Sequence, residues 1–224
     1  MDTNPILLVS ATRLEIQAII DNNTLEISDD LISTSINNQS IEILITGVGI
    51  HAMTYSLTRL LSSKSYKFII LAGISGSFSE LIPIGSMVNV MSESFSDLGV
   101  NSDNGFQTLF DMGLANPNQW PFSNGIMDNY TLINNKVVEN IKIVKGSTIQ
   151  SIQATKENNT AINLDVESME GAAFFYCCMM QKLPFIQIRS ISNYVGERDK
   201  SRWNIPLAVD NLNNTIVDIL KEIS

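Results

Sequence analysis

Phe68-Ile69-Ile70-Leu71-Ala72-Gly73-Ile74-Ser75-Gly76-Ser77 is the stretch from which the fold is read. Phe68 to Ala72 is apolar at every position, so neither face can meet water, and this predicts a central strand covered on both sides. Gly73 to Ser77 predicts a small-residue loop at its carboxyl end. Upstream, Ile6 to Val9 is a second apolar run of strand length, and Thr12 opens a segment with Leu14, Ile16, Ala18, Ile19 and Ile20 at helical spacing. Ile41 to Thr46 is a third strand, followed by Gly47-Val48-Gly49 and a helix marked by Ile50, Met53, Leu57, Leu60 and Leu61.

Downstream, Met87 to Met91 predicts a strand, and residues 98 to 136, rich in Asn, Gly, Pro and Asp, predict a long loop. Strand-like runs return at Asn140 to Val144, Thr148 to Ile152 and Leu164 to Val166. Ala172 to Met180 is apolar all round and predicts a helix buried against a sheet. Phe185 to Ile191 predicts the next strand, Ser192 to Arg202 a polar loop, and Val209, Leu212, Ile216, Ile219, Leu220 and Ile223 the buried stripe of a last helix. Strands alternating with helices, without linker or repeat, predict one layered α/β/α domain over residues 1–224.

Composition narrows the function classes. The 224 residues are 44% hydrophobic and 17% charged, which suits a globular chain and excludes disorder as the main state. A formal net charge of -9 works against a nucleic-acid backbone or an anionic lipid surface as partner. The longest apolar run, Ala172 to Met180, is less than half of the ~20 residues a spanning helix needs. The start of the chain shows no secretory pattern, and Cys177 and Cys178 are adjacent inside an apolar run, so a reducing, cytoplasmic compartment is expected. With one histidine and two cysteines, no metal site of common type is expected.

Polar residues at predicted strand ends are the candidates for chemistry. Gly47-Val48-Gly49-Ile50-His51-Ala52 fits a dinucleotide fingerprint, but about 20 positions on, where an acid should hold the ribose, the chain reads Ile70-Leu71-Ala72-Gly73. Tight strand-to-helix packing is the simpler reading. Glu15 follows the first strand; Thr12-Arg13-Leu14-Glu15 is a capping box, and the same place is where α/β enzymes keep reactive carboxylates. Both readings stand. Glu170 lies at a second strand-to-helix transition, where a charge favourable to the helix dipole is the alternative. Ser192-Asn193 lies at a third, where a plain turn is the alternative.

Four phrases, Thr46 to Gly49, Ala72 to Gly76, Val166 to Ala173 and Arg189 to Asn193, occur in the order and spacing of the purine nucleoside phosphorylase/nucleosidase superfamily, which the chain resembles over essentially its whole length. Within it, Ala11 to Glu15, Ser96 to Gly99, Met169 to Phe175, Ser192 to Val195 and Arg198 to Ala208 are similar to the futalosine hydrolase family. The resemblance implies a three-layer α/β/α sandwich with a central mixed β-sheet and a purine nucleoside as small-molecule substrate. It implies hydrolysis of the N-glycosidic bond with no cofactor, release of hypoxanthine from futalosine in menaquinone synthesis, and a homodimer or larger homo-oligomer. Glu15, Glu170 and Asn193 would be catalytic; Ile74, Ser75, Gly76, Ile152 and Met169 would bind substrate. Where adenosine-type nucleosidases place an aspartic acid, this chain has Asn193, which suits a 6-oxopurine. Arg198 and Arg202, in a chain with 14 basic residues, are candidates to hold the carboxylate of the substrate. The alternatives are a 5'-methylthioadenosine/S-adenosylhomocysteine-type nucleosidase, a purine nucleoside phosphorylase, or a non-catalytic purine-binding scaffold.

Overall fold

The computed structural model describes residues 4–23, 26–28, 31–103, 105–151, 164–197 and 199–223. Its strands are β1 (Ile6–Ser10), β2 (Glu26–Ser28), β3 (Leu31–Ile36), β4 (Gln39–Ile45), β5 (Phe68–Ser77), β6 (Met87–Phe95), β7 (Gly99–Ser102), β8 (Gly105–Thr108), β9 (Met127–Asp128), β10 (Lys142–Thr148), β11 (Val166–Ser168) and β12 (Phe185–Tyr194). The α-helices are α1 (Gln17–Asp21), α2 (Ile50–Leu61), α3 (Lys136–Glu139), α4 (Gly171–Met180) and α5 (Ile205–Glu222).

The main sheet is mixed and runs β11-β10-β6-β12-β5-β1-β4-β3-β2, with β9 on β6. The strand that decided the fold is central, as expected: β5 pairs in parallel with β1 on one side and β12 on the other. At its far end β5 also meets β11 antiparallel, Gly76 opposite Glu167 and Ser77 opposite Val166. Because β11 is at the same time paired to β10, strands β5, β12, β6, β10 and β11 close into a ring at one end of the sheet. Ile6 and Leu8 of β1 pack with Ile16, Ile19 and Ile20 and with Leu212 and Ile216 of α5. Leu7 and Val9, pointing the other way as alternation requires, pack with Met53 and Leu57 of α2 and with Phe174 and Phe175 of α4. These two apolar layers make the sandwich, and each fully buried side chain contributes roughly 1.5–3 kcal/mol.

Several local expectations change. Gly73 to Ser77 is the continuation of β5, so the strand runs for ten residues. Small residues are required because other side chains lie directly on this backbone: a Cβ at Gly73 would overlap the Arg189 guanidinium and come within 2.9 Å of Glu15 Oε1. The segment after Thr12 is a 3-10 turn, Leu14–Ile16, with the short α1 behind it. The region 98–136, expected as loop, contains the β7–β8 hairpin, β9 and the start of α3, which Asn135 caps by accepting from Val137 and Val138 N–H. A single strand, β10, takes in Lys142–Val144 of the first expected run and ends at Thr148, where the second was expected to begin; Ile149–Ser151 lie outside it and Ile152 outside the described residues. Asn37 and Asn38 hold φ of 50° and 64° in a two-residue hairpin turn joining β3 and β4, the left-handed geometry such turns demand.

Candidate active site

A cavity of about 300 Å³ opens where the carboxyl ends of β1, β5 and β12 meet the amino ends of α2 and α4. It lies at the point where the sheet closes, and its wall includes Glu15, Ile74, Ser75, Gly76, Met169 and Glu170. A wider groove of about 670 Å³ lies elsewhere, between Trp120 and Phe185. The smaller cavity is the candidate site, because two buried carboxylates, Glu15 and Glu170, line it and the buried Arg189 pairs with one of them.

Glu15 is buried at 6% exposure, and four donors hold its carboxylate. Oε2 accepts from Thr12 N at 2.9 Å, Thr12 Oγ1 at 2.9 Å and Ser10 Oγ at 3.2 Å, while Oε1 accepts from Ile74 N at 3.0 Å. The Thr12 N–H bond is half of a capping box. The bond from β5 is not local, since it reaches 59 residues along the chain. The capping bond is present, and the local bonds orient a carboxylate that also lies against the central strand.

Glu170 precedes α4 but makes no side-chain bond to its own helix; Oε1 accepts from Gly49 N at 2.9 Å, at the start of α2. Gly49 has φ +94°, a conformation that lets the chain turn its N–H toward the carboxylate. Arg189 Nη2 is 3.8 Å from Glu170 Oε2, and both side chains are almost fully buried. Burial pushes the Glu170 carboxyl above the usual range; Arg189 and the Gly49 N–H oppose that, and the charge of Glu15 adds to it.

Arg189 is the member of this site that sequence reading missed. It is 1% exposed, donates to Ser168 Oγ at 3.3 Å and to Ile74 O at 3.4 Å, and its Nε has no partner among the described residues. The available signal was alternation: Gln187 and Arg189 stand two apart in Phe185–Ile191, where Ser190 is the only other polar residue, so both project to the same face. Behind Arg189 lies a third buried carboxylate, which was also missed. Glu93 accepts from Gln187 Nε2 at 2.7 Å and from Thr148 Oγ1 at 2.9 Å, and Thr148 Oγ1 accepts from Ala172 N in the first turn of α4.

Asn193 has a defined amide orientation. Its Nδ2 donates to Tyr194 O at 3.1 Å and its Oδ1 accepts from Ser192 Oγ at 2.8 Å, so the second Nδ2 hydrogen remains for a ligand. Ile74, Ser75, Gly76 and Met169 all line the cavity. Ile152 and Arg198 lie outside the described residues. Arg202 is not brought to the cavity wall: its side chain is 72% exposed and pairs at 2.7 Å with Glu197, which does line it. Among the described residues no group of three His, Cys, Asp or Glu side chains is placed to hold a metal ion. No helix among them is long and apolar enough to cross a membrane.

The sequence profile of the phosphorylase superfamily matches residues 5–222. A futalosine hydrolase from Streptomyces coelicolor is 25% identical over 158 residues, 70% of this chain and 66% of that protein, so just under two thirds of its length is matched. A futalosine hydrolase from Thermus thermophilus is 25% identical over 184 residues, 79% of this chain and 80% of that protein. In structure, the chain superposes on the futalosine hydrolase of Helicobacter pylori with a TM-score of 0.78 at 14% identity, covering 99% of both chains. It superposes equally well, with a TM-score of 0.79 at 16% identity over 100% of this chain and 99% of the other, on an S-adenosylhomocysteine nucleosidase from Streptococcus pyogenes. The expected sandwich is thus the fold of these proteins, and the fold is common to both specificities.

Proposed function

The chain belongs to the phosphorylase superfamily, and on that premise we propose that it is a nucleoside hydrolase that splits the N-glycosidic bond of futalosine and releases hypoxanthine. The observation that carries this reading is the pair of buried carboxylates, Glu15 and Glu170, delivered by different strand ends to one cavity with Asn193. Breaking the bond between C1′ and N9 leaves positive charge on the ribosyl ring and negative charge on the purine, so the site must serve both and aim a nucleophile. Glu15 takes the proton of a water whose oxygen bonds to C1′; Oε1, with a single backbone donor, keeps a lone pair for it. Glu170, tied to Gly49 N and balanced by Arg189, faces the sugar, and Asn193 offers an N–H to the purine edge without ionising.

Water is favoured over phosphate because two carboxylates flank the position of attack and, among the described residues, one buried guanidinium, that of Arg189, offsets them. Asn193, in place of an aspartic acid, supports a 6-oxopurine over adenine, and both sequence relatives described above carry the futalosine hydrolase name. The reaction would use no metal or organic cofactor and belong to menaquinone synthesis by the futalosine route, in the cytoplasm. We further propose a single domain over residues 1–224 that self-associates, with residues 98–130 against a neighbour; exposed Leu114, Trp120 and Tyr130 in and beside that segment support it.

Incubating the protein with futalosine, inosine and methylthioadenosine, with and without phosphate, and identifying the released base tests the proposal. Phosphate-independent hypoxanthine from futalosine is expected. Adenine from methylthioadenosine as the main product would make it an adenosine-type nucleosidase, phosphate-dependent cleavage would make it a phosphorylase, and binding without a reducing sugar would make it a scaffold.

A further inference from the structure

Helix α5 carries one polar residue among its buried positions, Asn213, at 3% exposure beside Leu212 and Ile216. Burying an amide costs free energy unless its groups are paired, so its partners matter. Its Oδ1 accepts from Ile19 N at 3.1 Å, and its Nδ2 donates to Glu15 O at 2.9 Å and to Val209 O at 2.7 Å. In a continuous α-helix the N–H of residue 19 would bond directly to the carbonyl of residue 15. Here the Asn213 amide stands between those two groups and satisfies both.

The local backbone agrees with an insertion of this kind. Residues Leu14–Ile16 form a 3-10 turn and α1 starts only at Gln17, while Ile16 between them has φ -125° and ψ 23°, outside the helical region. An intruding polar group is one of the recognised causes of such a break. Glu15 lies immediately before the break, so its direction depends on whether the turn stays open. We propose that Asn213 is a positioning residue: by holding the Glu15–Ile19 turn open from 198 residues away, it sets the carboxylate of Glu15 against Thr12 and the end of β5. Without the amide, Ile19 N–H and Glu15 C=O pair directly, the helix gains a turn toward its N-terminus, and Glu15 swings off Ile74 N. The catalytic consequence rests on the reading of Glu15 as the base proposed above; the structural consequence does not.

Asn213→Leu keeps the size and removes the amide, Asn213→Asp keeps the acceptor for Ile19 but loses the donor to Glu15, and Asn214→Ala on the exposed neighbour serves as control. Two readouts are taken on each: steady-state kinetics with futalosine, and amide hydrogen exchange at Ile74, whose N–H is bonded to the Glu15 carboxylate. Expected is a fall in kcat of about 30-fold or more for both Asn213 variants with KM within threefold, and faster exchange at Ile74 than in the parent, the control being unchanged. If Asn213→Leu does not fold, the isosteric Asn213→Asp carries the same comparison. Unaltered exchange at Ile74 in a folded Asn213 variant would overturn the positioning role. Faster exchange with unchanged kcat would leave Asn213 as a positioner and overturn the assignment of Glu15, which Glu15→Gln reports separately.

Discussion

Two layers of buried carboxylate lie one behind the other at the closed end of the sheet, and they are built differently. In the cavity layer, Glu15 and Glu170 each accept from backbone N–H groups, Ile74 and Thr12 in one case and Gly49 in the other. In the layer behind, Glu93 is 1% exposed and is held by the side chains of Gln187 and Thr148 together with the backbone N–H of Ser94. Hydrogen-bond donors favour the charged carboxylate in either layer; burial favours the neutral acid, and at Glu93 burial wins. Burial pushes the Glu93 carboxyl up to about 7, against the pull of Gln187, Arg189 and Thr148. The two layers thus differ in what they face: Glu15 and Glu170 line the cavity and Glu93 does not.

Replacing one glutamate by glutamine in each layer separates their roles. Glu15→Gln should lower turnover by at least ~10²-fold, about 2.7 kcal/mol of barrier, while substrate affinity stays within several-fold. Glu93→Gln should leave turnover within a few-fold. Equal losses in single-turnover assays would mean that both layers take part in the reaction. Loss of fold stability with retained turnover in Glu15→Gln would instead mean that its capping bonds are its whole role.

A second effect, in stability, separates the layers by pH. The native state holds the Glu93 proton more tightly than the unfolded chain, whose Glu titrates near 4.5, so between about pH 4.5 and 7 the native state binds the extra proton. Stability from this group is therefore complete at the acid end and is lost as pH rises through 7, by up to about 3 kcal/mol. Urea midpoints of the parent should fall from pH 5 to pH 8 relative to those of Glu93→Gln. Parallel curves for the two proteins would show that Glu93 keeps an ordinary carboxyl.

The legibility of the two layers in the sequence follows from the same physics. Apolar runs announced β1, β4, β5 and β12, because a strand covered on both faces leaves no room for polar residues. Glu15 and Glu170 were found because each stands at a strand-to-helix junction. Glu93 and Arg189 were not, because a charged residue inside a strand looks like an exposed edge until its neighbours, Gly146 opposite Glu93 and Gln187 two positions before Arg189, are seen to be buried as well. The Gly73–Ser77 segment looked like a loop because small residues serve both a turn and a strand on which large side chains lie. Asn213 looked like one of many asparagines; only the broken bond between Glu15 and Ile19 shows what it is paired with.

The smallest expected effect lies outside both layers, in the loop after β12. Arg202 is held at 2.7 Å by Glu197, and Glu197 lowers the cavity rim's appeal to an anion while occupying the guanidinium that would attract one. Both side chains are reached by solvent, so the pair is screened and its geometry is easily exchanged. If Arg202 reads the acid group of futalosine, it does so by leaving Glu197 for the substrate carboxylate, and the two partners must then have opposite effects. Arg202→Ala should raise KM for futalosine by about tenfold and leave inosine unchanged, while Glu197→Gln, which frees the guanidinium, should lower KM for futalosine by a few-fold. Measuring both substrates on both variants tests this directly: changes of the same sign, or equal changes for the two nucleosides, would mean that the pair shapes the loop and that acid recognition lies with other residues.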